Sequence, residues 1–241
     1  MVNDFVLDNI RLFNTKPLCL GMHIQNLVEK LELKQQEIPE KFTHENLDRY
    51  IHSLLNVNKV YKNGMCQIVV FWQKYPDITP PEFCIFTEPM ETNISDFGTN
   101  GFILEFFKSY TENTNYFPTE STLQTSEVIP CNIDKYGNIY SAGSNDLLVL
   151  RDNQIIVCEK LQPFTTYLIE YLARKNWPIV KIPSFTVQDI SESSEILFCN
   201  PFNGIQWIRR IRNHNSEKYS SYGVKYAKTI SQELNLAMRE M

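Results

Sequence analysis

The chain has 241 residues, 43% of them hydrophobic and 21% charged, a composition typical of a globular protein long enough for one large domain or two small ones. The formal net charge of -5 gives no broad positive field, which argues against nucleic acid as a partner. No apolar run approaches the roughly 20 residues that a membrane helix needs. The first residues carry acids and no basic leader, so we expect a cytoplasmic protein without a membrane partner.

The cysteines lie far apart, each inside or beside an apolar segment. No C-x-x-C pair and no nearby histidine cluster accompanies them, which argues against a zinc site. We therefore expect no bound metal and buried free thiols at Cys19, Cys66, Cys84, Cys131, Cys158 and Cys199.

The N-terminal part predicts a small α/β domain. A hairpin turns at residues 14–17, two segments with helical spacing of apolar residues follow, and an almost wholly apolar run predicts a central strand. In chain order, the strands are predicted at 6–13, 18–20, 65–72 and 82–87, and the helices at 23–33 and 45–55. The polar stretch after them predicts a domain boundary, with domains at 1–90 and 101–241 joined by a linker at 91–100.

Strands and helices alternate again after the boundary. Strands are predicted at 101–108, 128–133, 147–150, 154–157, 180–185, 196–199 and 204–212, with helices at 166–175, 188–195 and 222–238. Thr165 or Thr166 is the predicted cap of the helix at 166–175. The alternation in both halves predicts an α/β or α+β fold with mixed sheets and flanking helices.

Five small or polar residues, 141–145, precede the apolar run 147–150. Small residues allow a backbone to approach another group closely, and that group is either another strand or a ligand. A tight hairpin corner and a turn against a ligand both remain open on the residues alone.

Several segments, taken in order, resemble fold-type IV (class IV) pyridoxal-phosphate-dependent aminotransferases, a family that includes branched-chain and D-amino-acid aminotransferases and aminodeoxychorismate lyases. LDNIR at 7–11 resembles F-E-T-I-R, and LGMHIQNL at 20–27 resembles L-x-x-H-x-x-R-L. The stretch that ends at Asn145 resembles E-x-x-x-x-N-[LI]-F, LQPFTT at 161–166 resembles L-x-G-[IV]-T-R, and EILFCNPFNGI at 195–205 resembles E-[IV]-x-x-x-N-x-x-x-G-I. The resemblance implies a two-domain class IV aminotransferase-like fold, with the cofactor site in the C-terminal domain.

The resemblance also implies site residues. Lys108, at the end of the first strand of the second domain, would form the Schiff base with pyridoxal 5′-phosphate, although a solvated strand-end lysine is the alternative. Phe164, Thr165 and Thr166, at a helix N-terminus, would bind the phosphate. The remaining cofactor-binding candidates are Asn200 near the phosphate, Asn145 at the ring face, and Tyr140 at the position of the family's pyridinium-pairing glutamate.

Four positions depart from the family pattern. Asn26 replaces the phosphate-binding arginine, and Tyr140 replaces the glutamate with no carboxylate at 139 or 141. Pro163 replaces a glycine at the phosphate turn, and Gln67 stands where many relatives have an arginine. Without the acid, the protonated ring nitrogen loses its partner.

Two functions therefore remain open. The first is a homodimeric aminotransferase or aminodeoxychorismate lyase-like enzyme acting on an amino acid or amino-chorismate type substrate. The second is a non-catalytic pseudo-enzyme that keeps the fold as a binding or assembly module. The arginines at 209, 210 and 212 are explained by a solvated strand edge or by binding of a substrate carboxylate or a phosphate.

Overall fold

The computed structural model describes residues 3–73, 80–90, 101–108, 127–143, 145–213, 216–221 and 224–239. The described residues divide into two compact units, one within residues 3–90 and the other within residues 101–239. The linker predicted at 91–100 lies outside the described residues. Each unit contains one sheet with helices, which confirms the predicted α/β (α+β) class; the sheet of the second unit is mixed, whereas that of the first is antiparallel.

The first unit has an antiparallel four-stranded sheet of order β2-β1-β3-β4. Its elements are β1 (Asn3–Phe13), β2 (Lys16–Pro17), α1 (Leu20–Leu33), α2 (His44–Val57), β3 (Gly64–Gln73) and β4 (Glu82–Pro89). Both helices pack their apolar faces on one core with the sheet, including Leu27, Leu47, Ile51, Ile68 and Trp72. The apolar run that predicted a central strand is β3, which pairs with β1 on one side and β4 on the other.

The predicted return strand of the first hairpin was wrong. Asn14 and Thr15 both have positive φ, 48° and 67°, and together they make the turn, so the return strand β2 starts directly at Lys16. The chain then bends at Cys19, whose φ of 56° is left-handed, and α1 begins at Leu20. The helix therefore starts three residues before its predicted beginning.

The second unit has a mixed eight-stranded sheet of order β6-β5-β11-β10-β7-β8-β9, with β12 paired to β11. The strands are β5 (Phe102–Lys108), β6 (Val128–Ile133), β7 (Asp146–Arg151), β8 (Gln154–Cys158), β9 (Ile179–Ile182), β10 (Glu195–Asn200), β11 (Gly204–Asn213) and β12 (Ser216–Ser221). Strand β5 runs parallel to both β6 and β11, and β8 runs parallel to β9, whereas the other pairs are antiparallel.

Among the described residues of this unit, three helices accompany the sheet: α3 (Pro163–Arg174), α4 (Val187–Ser191) and α5 (Lys225–Arg239). Gln162 is the N-cap of α3, so the predicted threonine cap was wrong. Pro163 occupies the first turn, where proline fits because its missing N–H needs no partner.

A buried carboxylate holds the start of α5 to the sheet. Glu195, at the beginning of β10, accepts the Tyr226 N–H at 2.9 and 3.0 Å and the Ala227 N–H at 2.9 Å. These N–H groups belong to the first turn of the helix, where no intrahelical acceptor exists.

The described part of the chain has no helix that is both long and apolar enough to cross a membrane. Among the same residues, no group of three or more His, Cys, Asp or Glu side chains could hold a metal ion. No disulfide joins the cysteines, of which Cys66, Cys131, Cys158 and Cys199 are buried while Cys19 and Cys84 are partly exposed. The prediction of burial is confirmed for four of the six.

Candidate functional site

Two of the predicted cofactor residues are brought together by the pairing of β7 and β10. Cys199 lies opposite Asp146 in this antiparallel pair, so Asn145 and Asn200 stand side by side at the next position. The Asn200 Nδ2 group donates to Asn145 Oδ1. Both side chains are buried, with 3% and 6% exposed.

The remaining atoms of this asparagine pair bind the protein's own backbone. Asn145 Nδ2 donates to the Ala142 carbonyl at 2.7 Å, and Asn200 Oδ1 accepts the N–H groups of Phe202 at 2.8 Å and Asn203 at 2.7 Å. These backbone partners fix the orientation of both amides, because only the amide nitrogen can donate to a carbonyl and only the amide oxygen can accept from an N–H. The pair therefore links the turn before β7 to the turn after β10 by hydrogen bonds.

The described residues of the small-residue stretch form a tight corner. Ala142 and Asn145 exchange two backbone hydrogen bonds of 2.9 and 3.1 Å, and Gly143 between them has a left-handed φ of 61°. A Cβ at Gly143 would meet nothing closer than 3.9 Å, so glycine is needed there for its backbone angle. The hairpin-corner alternative therefore accounts for Gly143.

The N-terminus of α3 contains the predicted phosphate residues. The Thr166 N–H donates within the helix to Gln162 at 2.9 Å, whereas the N–H groups of Phe164 and Thr165 have no acceptor among the described residues. The Thr165 hydroxyl is fully buried and faces Asp146 and Cys199, but it makes no hydrogen bond of normal geometry within the described part of the chain. Two N–H donors and one hydroxyl thus remain for an anion, while Thr166 could add only its side chain.

Sequence reasoning missed a carboxylate at this same helix end. Asp146 is 5% exposed, and its Oδ2 accepts the Gln162 N–H at 2.9 Å. Burial raises the pKa of Asp146 to about 6, and the nearby Thr165 hydroxyl and the Gln162 N–H limit this rise. The available signal in the sequence was an acid directly before the apolar run 147–150. Such a position indicates burial, and a buried carboxylate requires a partner.

The structure does not bring all the candidates into one described cluster. Lys108 ends β5 and lies opposite Ile133 of β6, but its side chain lies outside the described part of the structure. Tyr140 is 52% exposed and follows Ile139, which bridges to Phe185. Neither neighbour of Tyr140 supplies a carboxylate.

The departures in the first unit have partners of their own. The Asn26 Nδ2 group and His23 Nδ1 both lie 3.0 Å from Asp8 Oδ2. Burial would raise the pKa of Asp8, but the hydrogen bonds and charges of its neighbours hold that pKa below its usual value. Gln67 donates to Asn9 Oδ1 at 3.0 Å across β3 and β1. The structure thus pairs Asn26 and Gln67 with two neighbouring side chains of β1, Asp8 and Asn9.

Arg209 and Arg212 of the clustered arginines form ion pairs. Arg209 lies 2.6 Å from Glu127, and Arg212 lies 3.6 Å from Glu105. These acids reduce the positive charge of the cluster, which supports the strand-edge interpretation over an anion site.

The sequence matches no protein-family profile and no curated protein. Solved structures do match. A 4-amino-4-deoxychorismate lyase, described as putative, from Legionella pneumophila has a TM-score of 0.77 at 11% identity, over 98% of this chain and 91% of that chain. The chain has the fold of class IV aminotransferases.

Two further structures with this fold agree over nearly the whole chain. A hypothetical aminotransferase from Mycobacterium tuberculosis, in its PLP-bound form, gives a TM-score of 0.73 at 11% identity, over 98% of this chain and 89% of that chain. The branched-chain amino acid aminotransferase from Escherichia coli gives 0.72 at 11% identity, over 95% and 82%. The fold implied by the sequence motifs is thereby confirmed.

Proposed function

We propose that this protein binds pyridoxal 5′-phosphate and acts as an aminotransferase or aminodeoxychorismate lyase-like enzyme on a small substrate with an amino group. The single observation that carries the proposal is the N-terminus of α3, where a fully buried threonine hydroxyl makes no hydrogen bond of normal geometry within the described structure and two backbone N–H groups have no acceptor there. Such an array suits an anion, because the N–H groups and the helix dipole both favour negative charge. The shared fold supports the choice of this cofactor over another phosphate compound.

The residues present fit the phosphate end of the cofactor. Phe164 and Thr165 would donate to the phosphate. The hydrogen bond between Asn145 and Asn200 would hold the two neighbouring turns in place. When bound, the cofactor supplies an electron-withdrawing ring that stabilises negative charge at the substrate's α-carbon. Lys108 would take the proton from that carbon and return it.

The residues do not fit the pyridine end equally well. No carboxylate occupies 139–141 to pair with a protonated ring nitrogen, and Tyr140 is half-exposed. Without such a pair the protonated ring is less favoured, so we expect slow chemistry. This observation, together with the contact of Asn26 to Asp8, favours the second candidate function, a non-catalytic module with the same fold.

The two functions differ in the absorption of the purified protein with pyridoxal 5′-phosphate. An enzyme of this kind should show a visible band that Lys108→Ala abolishes and that Lys135→Ala, which removes an exposed turn lysine, leaves unchanged. No band and no retained cofactor would contradict the proposed enzyme and favour the non-catalytic module. A band that persists in Lys108→Ala would show that another amine makes the bond.

A second variant tests the phosphate residue by itself. Thr165→Val preserves shape and removes only the hydroxyl, and a lost hydrogen bond to a charged group costs about 1.5–3 kcal/mol, or roughly 10- to 100-fold in affinity. Equilibrium dialysis of the cofactor measures this loss. We also propose a homodimer, which light scattering of the purified protein measures.

A further inference from the structure

The carboxylate of Asp146 and the proposed phosphate donors share one end of α3. Asp146 Oδ2 accepts the N–H of Gln162, the N-cap, and the two available N–H groups belong to Phe164 and Thr165 in the first turn. The Thr165 hydroxyl lies close enough to Asp146 to affect its protonation, yet it makes no hydrogen bond of good geometry. An anion held by that hydroxyl would therefore be a near neighbour of the carboxylate.

Among the described residues, no opposite charge acts on Asp146. No lysine, arginine or histidine within the described residues forms an ion pair with Asp146. Among the described residues, the titratable groups that face it are thiols, Cys158 on β8 and Cys199 on β10. Burial raises the pKa of Cys158 to about 11 and raises that of Cys199 as well, so both thiols stay neutral at physiological pH. From α3 itself, only Thr165 and the Gln162 N–H face the carboxylate.

We propose, on the basis of the function proposed above, that Asp146 takes up a proton when a phosphate group binds at the N-terminus of α3, so that rising pH weakens phosphate binding. Two adjacent buried anions repel strongly, and protonation of the carboxyl removes that repulsion. Asp146 is the residue that would accept the proton, because the dipole of α3 and the Phe164 and Thr165 N–H groups favour the charged form of the phosphate.

The protonation state of Asp146 without ligand agrees with this coupling. Its pKa of about 6, raised by burial, leaves the carboxyl mostly ionised above neutral pH. A neighbouring phosphate would raise that pKa further. The affinity should then fall by up to about tenfold for each pH unit between the two pKa values.

The experiment is titration calorimetry with pyridoxamine 5′-phosphate, which carries the phosphate and has no aldehyde to react with a lysine. Wild type and Asp146→Asn are compared from about pH 6.5 to about pH 8, in buffers of different ionisation enthalpy that report proton uptake. The asparagine keeps an oxygen for the Gln162 N–H, so the helix end should stay intact. Glu195→Gln is the matched control, because it neutralises the other buried carboxylate at a helix start.

Wild type should lose about 10- to 20-fold more affinity than Asp146→Asn over this pH range and should take up close to one additional proton on binding. Titration of the phosphate itself, whose second pKa is about 6, contributes equally to both proteins and cancels in the comparison. Glu195→Gln should behave as wild type.

The outcomes separate this inference from the proposed function. Binding with the same pH dependence and proton uptake in wild type and Asp146→Asn would overturn the role of Asp146 and leave cofactor binding supported. No binding to wild type, Asp146→Asn or Glu195→Gln at any pH, with circular dichroism showing folded protein, would overturn both. Binding at the higher pH to Asp146→Asn but not to wild type would also support the inference, because the ionised carboxylate would then prevent phosphate binding completely.

Discussion

Replacement of Glu195 by alanine should destabilise the second unit by removing the contact between β10 and the start of α5. The carboxylate accepts two backbone N–H groups at distances of 2.9–3.0 Å, and it is buried. Hydrogen bonds to a charged group contribute about 1.5–3 kcal/mol each, and alanine leaves both N–H groups without an acceptor. Because removal of the carboxylate also removes the cost of burying its charge, we expect a net loss of about 3 kcal/mol.

A loss of this size should lower the melting temperature by roughly 6–12 °C in a protein of this length. Differential scanning calorimetry measures the shift, and urea unfolding followed by circular dichroism measures the free energy of unfolding. Glu195→Gln keeps one acceptor oxygen and should lose about half as much. Glu170→Ala, on the exposed face of α3, is the control and should stay within about 0.5 kcal/mol of wild type.

The reasoning would be refuted by a melting temperature of Glu195→Ala within about 2 °C of wild type. Water would then satisfy the start of α5 as well as the carboxylate does.

Three further substitutions test other parts of the fold. Asp8→Asn should lower the free energy of unfolding by about 1–3 kcal/mol at neutral pH. Because the folded pKa of Asp8 lies below its usual value of 3.8, the greater stability of wild type should disappear as the pH falls from 3.8 through the folded pKa. Urea midpoints measured across this pH range test the prediction. Leu148→Ala, in the core of the larger sheet, should cost about 2–5 kcal/mol, whereas Leu33→Ala at an 85% exposed position should stay within about 0.5 kcal/mol in the same assay. Gly64→Ala should lower the melting temperature, because its Cβ would lie 2.6 Å from the Glu88 carbonyl oxygen, and retention of the wild-type value would show that β4 moves aside easily.

The sequence predicted those elements whose stability comes from burial of a regular apolar pattern. The run at 65–72 lies in β3, and the helical spacing of Leu47 and Ile51 corresponds to α2. Strand β12 was not predicted, because SEKYSS has no apolar alternation and pairing with β11 alone defines it. The start of α1 was missed since a left-handed angle at Cys19, a residue type that seldom adopts it, ends the hairpin early.

The candidate site was predictable residue by residue but not as an arrangement. Motif order placed Asn145 and Asn200 in the same region, yet only the register of β7 and β10 shows that their side chains bind each other. The position of Asp146 before an apolar run indicated a buried acid, but no motif identified its partner, which is a backbone N–H sixteen residues away. Pairings between distant backbone and side-chain atoms depend on the three-dimensional path of the chain.

The hydrogen-bonded side-chain amides of Asn145 and Asn200, which link two turns, also provide a spectroscopic reporter. Their Nδ2 protons are buried and hydrogen-bonded, so their side-chain resonances should exchange with deuterated solvent far more slowly than those of surface asparagines. Both amides lie within the turns that would adjoin a ligand at α3. Their chemical shifts would therefore register occupancy of that region without a chromophore, a substrate or catalytic turnover.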